Sequence, residues 1–211
     1  MPKTLFYIDD LPYHIYSIHD DNCIKDISIK KRETLGKIYS TCFGGTSRIE
    51  KISDLNSFTE GRGITIIITD HQDNTVFIIS IIKNINTGAI ELFNICKDLT
   101  KSNLSGYKVL EILINNFIKD NPFFQKYEKL RLAMLCDNPY IIPAFKTYCK
   151  LGFVVEEEVK PVLSMLSNYI TMIRPIHDET SSNFIFELQT LFRMCNFNKE
   201  DKMKILENIK H

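Results

Sequence analysis

The segment Asn138-Pro139-Tyr140-Ile141-Ile142-Pro143-Ala144-Phe145-Lys146-Thr147-Tyr148-Cys149-Lys150-Leu151-Gly152-Phe153 carries the clearest pattern in this chain of 211 residues. Asp137, Asn138 and Pro139 make a helix start, because Asp or Asn caps free amides and proline suits the first turn. The predicted helix runs to Lys150 and is closed by Leu151-Gly152-Phe153. Before it, Leu130 to Cys136 reads as a buried strand. After it, Val154 to Val159 and Tyr169 to Ile173 predict two strands, antiparallel across the connection from Lys160 to Ser167.

A second strand, loop and helix precede this unit. Ile64 to Thr69 and Thr75 to Ile82 are β-branched and separated by Asp70-His71-Gln72-Asp73-Asn74, which predicts a hairpin. Ala89 to Cys96 is a third strand, Lys97 to Ser105 a polar loop, and Gly106 to Lys119 a helix with its stripe at Val109, Leu110, Leu113, Ile114 and Phe117. Nearer the start, Thr4 to Ile8 and Tyr13 to Ile18 suggest a hairpin around Asp9-Asp10-Leu11-Pro12. Leu35, Ile38, Tyr39 and Cys42 mark a helix over 30–43, stopped by Gly44-Gly45. From Ser182 onward the pattern is helical.

Composition narrows the function classes. Hydrophobic residues are 44% and charged residues 25%, so a core is expected and disorder is not. Lys and Arg number 26 against 26 Asp and Glu, so no net field gathers nucleic acid or an acidic membrane, and neither partner is expected. Asp9 and Asp10 stand where a secretory signal would need its apolar stretch, and the longest apolar runs are strand-length, so a cytoplasmic protein is expected. The six cysteines form no CxxC pair and read as reduced core thiols; the histidines make no metal spacing, and no metal is expected.

The two strand, loop and helix units together resemble the GCN5-related N-acetyltransferase (GNAT) superfamily, most clearly through Asn138, Ala144, Tyr148, Lys150, Gly152 and Phe153. The resemblance covers about residues 60 to 175. It implies an α/β (α+β) fold with a mixed, mostly antiparallel central sheet, splayed between its fourth and fifth strands and flanked by helices. It also implies an acyl-CoA-dependent N-acyltransferase that uses acetyl-CoA as acyl donor and a primary amine, on a small molecule or a protein, as acceptor. Residues 1–176 would form the acyltransferase domain and 177–211 a C-terminal helical extension.

The same resemblance assigns roles. Phe93, Asn94, Ile95, Cys96 and Lys97 would pair with pantetheine through strand main chain. The family's pyrophosphate loop falls on Lys101, Ser102, Asn103, Leu104, Ser105 and Gly106, with Tyr107 following. Lys101 replaces the usual Arg or Gln, and Leu104 stands where the family has its first glycine. A leucine forced to positive φ there would be strained. Asn138 would contact the cofactor, or simply cap its helix.

Tyr148 matches the family tyrosine that protonates the leaving thiolate; its plain alternative is a core tyrosine beside Ala144 and Leu151. Glu91 is the candidate base, sharing a strand face with Phe93 and Ile95 at period 2, with a solvated carboxylate as the alternative. Glu156, Glu157 and Glu158 read as a charged strand edge that could also meet an amine. Cys149 has no recognisable His partner for covalent catalysis, and His71 reads as a solvated turn residue. A second functional class also fits: a catalytically inactive module on the same fold, acting through CoA binding or protein contacts, with self-association through the C-terminal helices.

Overall fold

The computed structural model describes residues 3–43, 48–51, 54, 63–98, 100, 104–156, 169–177 and 182–209. The chain divides into two compact units, Met1–Tyr127 and Glu128–His211.

In the first unit, β1 (Lys3–Ile8), β2 (Leu11–Ile18), β3 (Gly63–Thr69), β4 (Thr75–Asn84) and β5 (Ala89–Lys97) pair antiparallel in chain order. Asp9 and Asp10 alone make the β1–β2 turn, at φ 51° and 63°. A two-residue hairpin turn of this hand needs positive φ at both positions, which Asp tolerates. Pro12, expected in the turn, instead lies in β2 opposite Tyr7. The β2–β3 register begins only at His14, so the N–H that Pro12 lacks is not needed by β3.

A short α1 (Asp21–Lys25), absent from the sequence reading, is capped by the Asp20 carboxylate accepting from the Cys23 amide at 2.9 Å. The helix predicted over 30–43 is α2 (Ile29–Phe43). Its Leu35, Ile38 and Tyr39 form one core cluster with Tyr16, Ile67, Ile78 and Cys96. Lys31 of α2 donates to the Tyr16 hydroxyl at 2.6 Å and pairs with Asp73 at 3.1 Å, docking the β3–β4 turn. His71 is exposed in that turn.

The predicted helix at 106–119 is α3 (Gly106–Ile112) running into a π-helical stretch, Leu113–Ile118. An i→i+5 turn holds one extra residue, so Ile118 rather than the expected Phe117 turns inward.

The second unit holds β6 (Lys129–Leu135), α4 (Ile141–Lys150), β7 (Val154–Val155), β8 (Tyr169–Pro175), α5 (Phe184–Met194) and α6 (Lys199–Ile209). β8 lies between β6 and β7 and is antiparallel to both. Helix α4 starts at Ile141, later than Asn138-Pro139 suggested, because the Asn138 side chain accepts from the Tyr140 amide at 2.8 Å and makes its own turn first. Helix α5 is capped by Asn183, sets Phe184 against Phe145 of α4, and presents buried Glu187 to the Val155 amide at 2.7 Å. That contact covers a backbone donor of the short strand β7.

Cysteine pairing corrects the reading of six reduced thiols. Cys42 is joined to Cys96 and Cys136 to Cys195, with Cα–Cα separations of 6.2 and 5.2 Å, while Cys23 and Cys149 are free. Partners 54 and 59 residues apart leave no local signature in a sequence. Closing a loop of the Cys136–Cys195 length is worth about 4 kcal/mol in chain entropy. Urea unfolding of a Cys136→Ser/Cys195→Ser variant without reductant is expected to show a loss of that order. An unchanged midpoint would mean that the pair does not cross-link the folded chain.

Candidate functional site

In the first unit the site residues of β5 are arranged by one irregularity. Phe93 pairs with Ser80 and Cys96 with Ile78, so two residues of β5, Asn94 and Ile95, stand opposite Ile79 alone. Asn94 takes φ 50°, the left-handed conformation Asn adopts more readily than most residues, and makes a β-bulge. Ile82, Ser80 and Ile78 alternate on β4, and their partners Glu91, Phe93 and Cys96 therefore share one face. The bulge takes Ile95 off that face, against the period-2 expectation. Its main chain there departs from the β4 ladder, the arrangement a strand-like ligand can use.

Helix α2 holds the bulge. The Asn94 side-chain amide donates to the Tyr39 hydroxyl at 3.2 Å, and Cys42 is bonded to Cys96. Glu91 is buried, and its carboxylate accepts a 2.6 Å hydrogen bond from the Asn84 side chain. The solvated alternative for Glu91 is thereby excluded. Nothing in the sequence reading singled out Asn84.

After β5, the Asp98 amide donates to the Val76 carbonyl at 2.9 Å, and the Asp98 carboxylate accepts from the Thr100 amide and hydroxyl at 2.9 and 2.7 Å. Lys101, Ser102 and Asn103 lie outside the described residues. Leu104 is 1% exposed and is not among the residues with positive φ, so the strain expected of it does not arise. Ser105 caps α3 by accepting from the Lys108 amide, and Leu104 and Val109, both buried, occupy the two positions of a hydrophobic staple. Among the described residues, a side chain added at Gly106 would meet nothing within 4 Å at the start of the helix, where first-turn amides have no intrahelical acceptor. The Tyr107 hydroxyl donates to Glu111.

In the second unit, the end of α4 fixes Tyr148. Gly152 sits at φ 83°, its amide donates to the Cys149 carbonyl at 2.9 Å, and the Phe153 amide donates to the Tyr148 carbonyl at 3.0 Å. This closing motif brings the residue two past the cap onto the last turn, here Phe153 against the Tyr148 ring at 6.0 Å. Gly152 and Phe153 thus place the tyrosine as well as end the helix. Burial pushes the Tyr148 phenol above its ordinary range, and no hydrogen bond to its hydroxyl occurs among the described residues. It holds its proton at neutral pH, as an acid must.

Asn138 is exposed, with its oxygen committed to the Tyr140 amide and its NH2 group as the donor. Glu156 is paired with Arg131 at 2.8 Å; Glu157 and Glu158 lie outside the described residues. The Cys149 thiol is pushed up to about 12 by burial, with the Ser182 hydrogen bond acting the other way and Glu187 adding to the rise, so it is protonated and a poor nucleophile. Among the described residues no group of His, Cys, Asp and Glu could hold a metal ion, and no helix is long and apolar enough to cross a membrane.

No family model matches the sequence, and no curated protein does. Solved structures do. The ribosomal-protein-S18-alanine N-acetyltransferase of Escherichia coli aligns with a TM-score of 0.51 at 18% identity, over 79% of this chain and 96% of that one. The aminoglycoside 6'-N-acetyltransferase of Enterococcus faecium aligns with a TM-score of 0.51 at 12% identity, over 79% of this chain and 99% of that one. A GNAT-family acetyltransferase of Staphylococcus aureus aligns with a TM-score of 0.50 at 18% identity, over 77% and 99%. The chain therefore has the GNAT fold, mixed α/β with mostly antiparallel strands, as its sequence pattern implied.

Proposed function

We propose that this chain is an acyl-CoA-dependent N-acyltransferase that uses acetyl-CoA and transfers its acyl group to a primary amine by direct attack. The observation that carries the proposal is the Asn94 bulge, which turns β5 main chain out of its ladder a few residues before the capped start of α3. The likeness of fold to acetyltransferases supports the same reading.

The thioester supplies an activated acyl carbon. Residues Phe93 to Lys97 hold the pantetheine arm by strand-like pairing, and the segment from Lys101 to Tyr107 receives the pyrophosphate, with Lys101 as the cation and the Gly106 and Tyr107 amides as donors. Asn138 contributes its outward NH2. Glu91 takes the proton of the attacking amine, directly or through water, as the C–N bond forms. Tyr148 gives its proton to the departing sulfur as the C–S bond breaks. Loss of one proton by the amine and gain of one by the thiolate leave the balance neutral.

A ligand at a hundred times its dissociation constant stabilises a native protein by about 2.7 kcal/mol. Thermal shift with acetyl-CoA and with desulfo-CoA is expected to show stabilisation by both, since neither pyrophosphate nor pantetheine recognition needs the thiol. No response to either at millimolar concentration would sink the enzyme and leave a fold that acts through protein contacts.

A further inference from the structure

Asn84 ends β4 and pairs with Ala89 at the start of β5, so it faces the hairpin turn on one side and the β5 face on the other. Its side-chain oxygen accepts from the Asn86 amide at 3.0 Å and from the Thr87 amide at 3.3 Å. Those two donors fix which end of the amide is oxygen, and its nitrogen must then point away from the turn. That nitrogen donates to Glu91 Oε1 at 2.6 Å. The contact is short, as hydrogen bonds to a carboxylate are, and Glu91 is 8% exposed. A buried carboxylate depends on such donors to remain in one place.

We propose that Asn84 is the positioning residue for Glu91: the turn amides orient the Asn84 amide, and the Asn84 amide orients the carboxylate that receives the proton of the amine. The inference rests on Glu91 as the base and extends it to a residue that touches neither substrate nor reacting atoms. It makes the turn at 85–88 part of the catalytic geometry, because any change that frees the Asn84 oxygen lets its nitrogen swing off Glu91.

Two substitutions separate this role from turn building. Asn84→Asp and Asn84→Ser each keep an oxygen that can accept from the turn amides; the aspartate carboxylate has no proton to donate, and the serine lacks the amide nitrogen that reaches Glu91. Turnover would be followed as free thiol released from acetyl-CoA, with a peptide bearing a free N-terminus, a lysine peptide and an aminoglycoside as acceptors. Both variants are expected to lower kcat on the order of 10- to 100-fold with little change in the KM for acetyl-CoA, the size of effect seen when a reacting group is misplaced. In a Glu91→Gln background, Asn84→Ser is expected to cost nothing further. Full turnover in both single variants, or the same loss with and without Glu91, would overturn the positioning role. Full turnover in Glu91→Gln alone would also overturn it, while leaving acyl transfer intact. A wild-type protein that binds no acetyl-CoA would remove the enzyme reading itself.

Discussion

Replacing Tyr148 with phenylalanine is expected to slow acetyl transfer by about 10²- to 10⁴-fold, the usual contribution of a positioned general acid, and to leave affinity for acetyl-CoA nearly unchanged. The structure makes this a clean substitution. The ring is held from its edge by Phe153, and a phenylalanine ring in its place would keep that contact. The hydroxyl has no hydrogen bond among the described residues, so its removal orphans no described group. Folding stability should therefore hardly move while kcat falls. Because burial pushes the phenol upward, it remains protonated through neutral pH, and Tyr148 should impose no limb on the pH profile of kcat below the ordinary tyrosine range. The measurement is kcat and KM for both proteins across that range. Turnover equal to wild type would remove Tyr148 from the mechanism and leave it as part of the stripe it forms with Ile141, Phe145 and Cys149.

What the sequence revealed and what it concealed divide along the range of the interactions. The α4 segment was readable because its signals are local: an apolar stripe, then glycine and phenylalanine in a helix-closing order. The strands β3, β4 and β5 were readable because β-branched runs and turn residues alternate within a few positions. The Asn94 bulge was not, since inserting one residue leaves the apolar pattern almost intact while reversing every face beyond it. The only hint is an asparagine in the middle of an apolar strand. Asn84 was hidden for a similar reason, since a polar residue at a hairpin end looks like turn chemistry, and part of its side chain does serve the turn. The start of α4 was misplaced because Asn138 uses the same oxygen a helix cap would use, one turn too early. Cysteine pairing depends on tertiary proximity and had no local trace.

Leu104→Gly would introduce the glycine that the resemblance to the GNAT superfamily implies at this position, and it is expected to damage this protein rather than improve it. Leu104 is buried just before the Ser105 cap of α3, and Val109 is buried at the fourth helical position, the two places of a hydrophobic staple, which needs a large apolar residue at each. Truncating a buried leucine to alanine costs about 2 to 5 kcal/mol, and the further step to glycine adds about 0.4 to 1 kcal/mol through the freedom of the unfolded chain. Against a total stability of roughly 5 to 15 kcal/mol, that loss is a large share. No gain in CoA affinity should offset it, because the backbone at 104 is not in the left-handed region where glycine has its advantage. Urea unfolding of Leu104→Gly and Leu104→Ala, with calorimetry of acetyl-CoA binding to each, checks both halves. Unchanged stability would show that the staple is not formed, and tighter binding to the glycine variant would show that the loop must turn left-handed to take the pyrophosphate. The expected result is a weaker fold with cofactor affinity no better than wild type, which would mean that this chain builds its helix start by packing a side chain at the position where the resemblance to the GNAT superfamily implies a glycine.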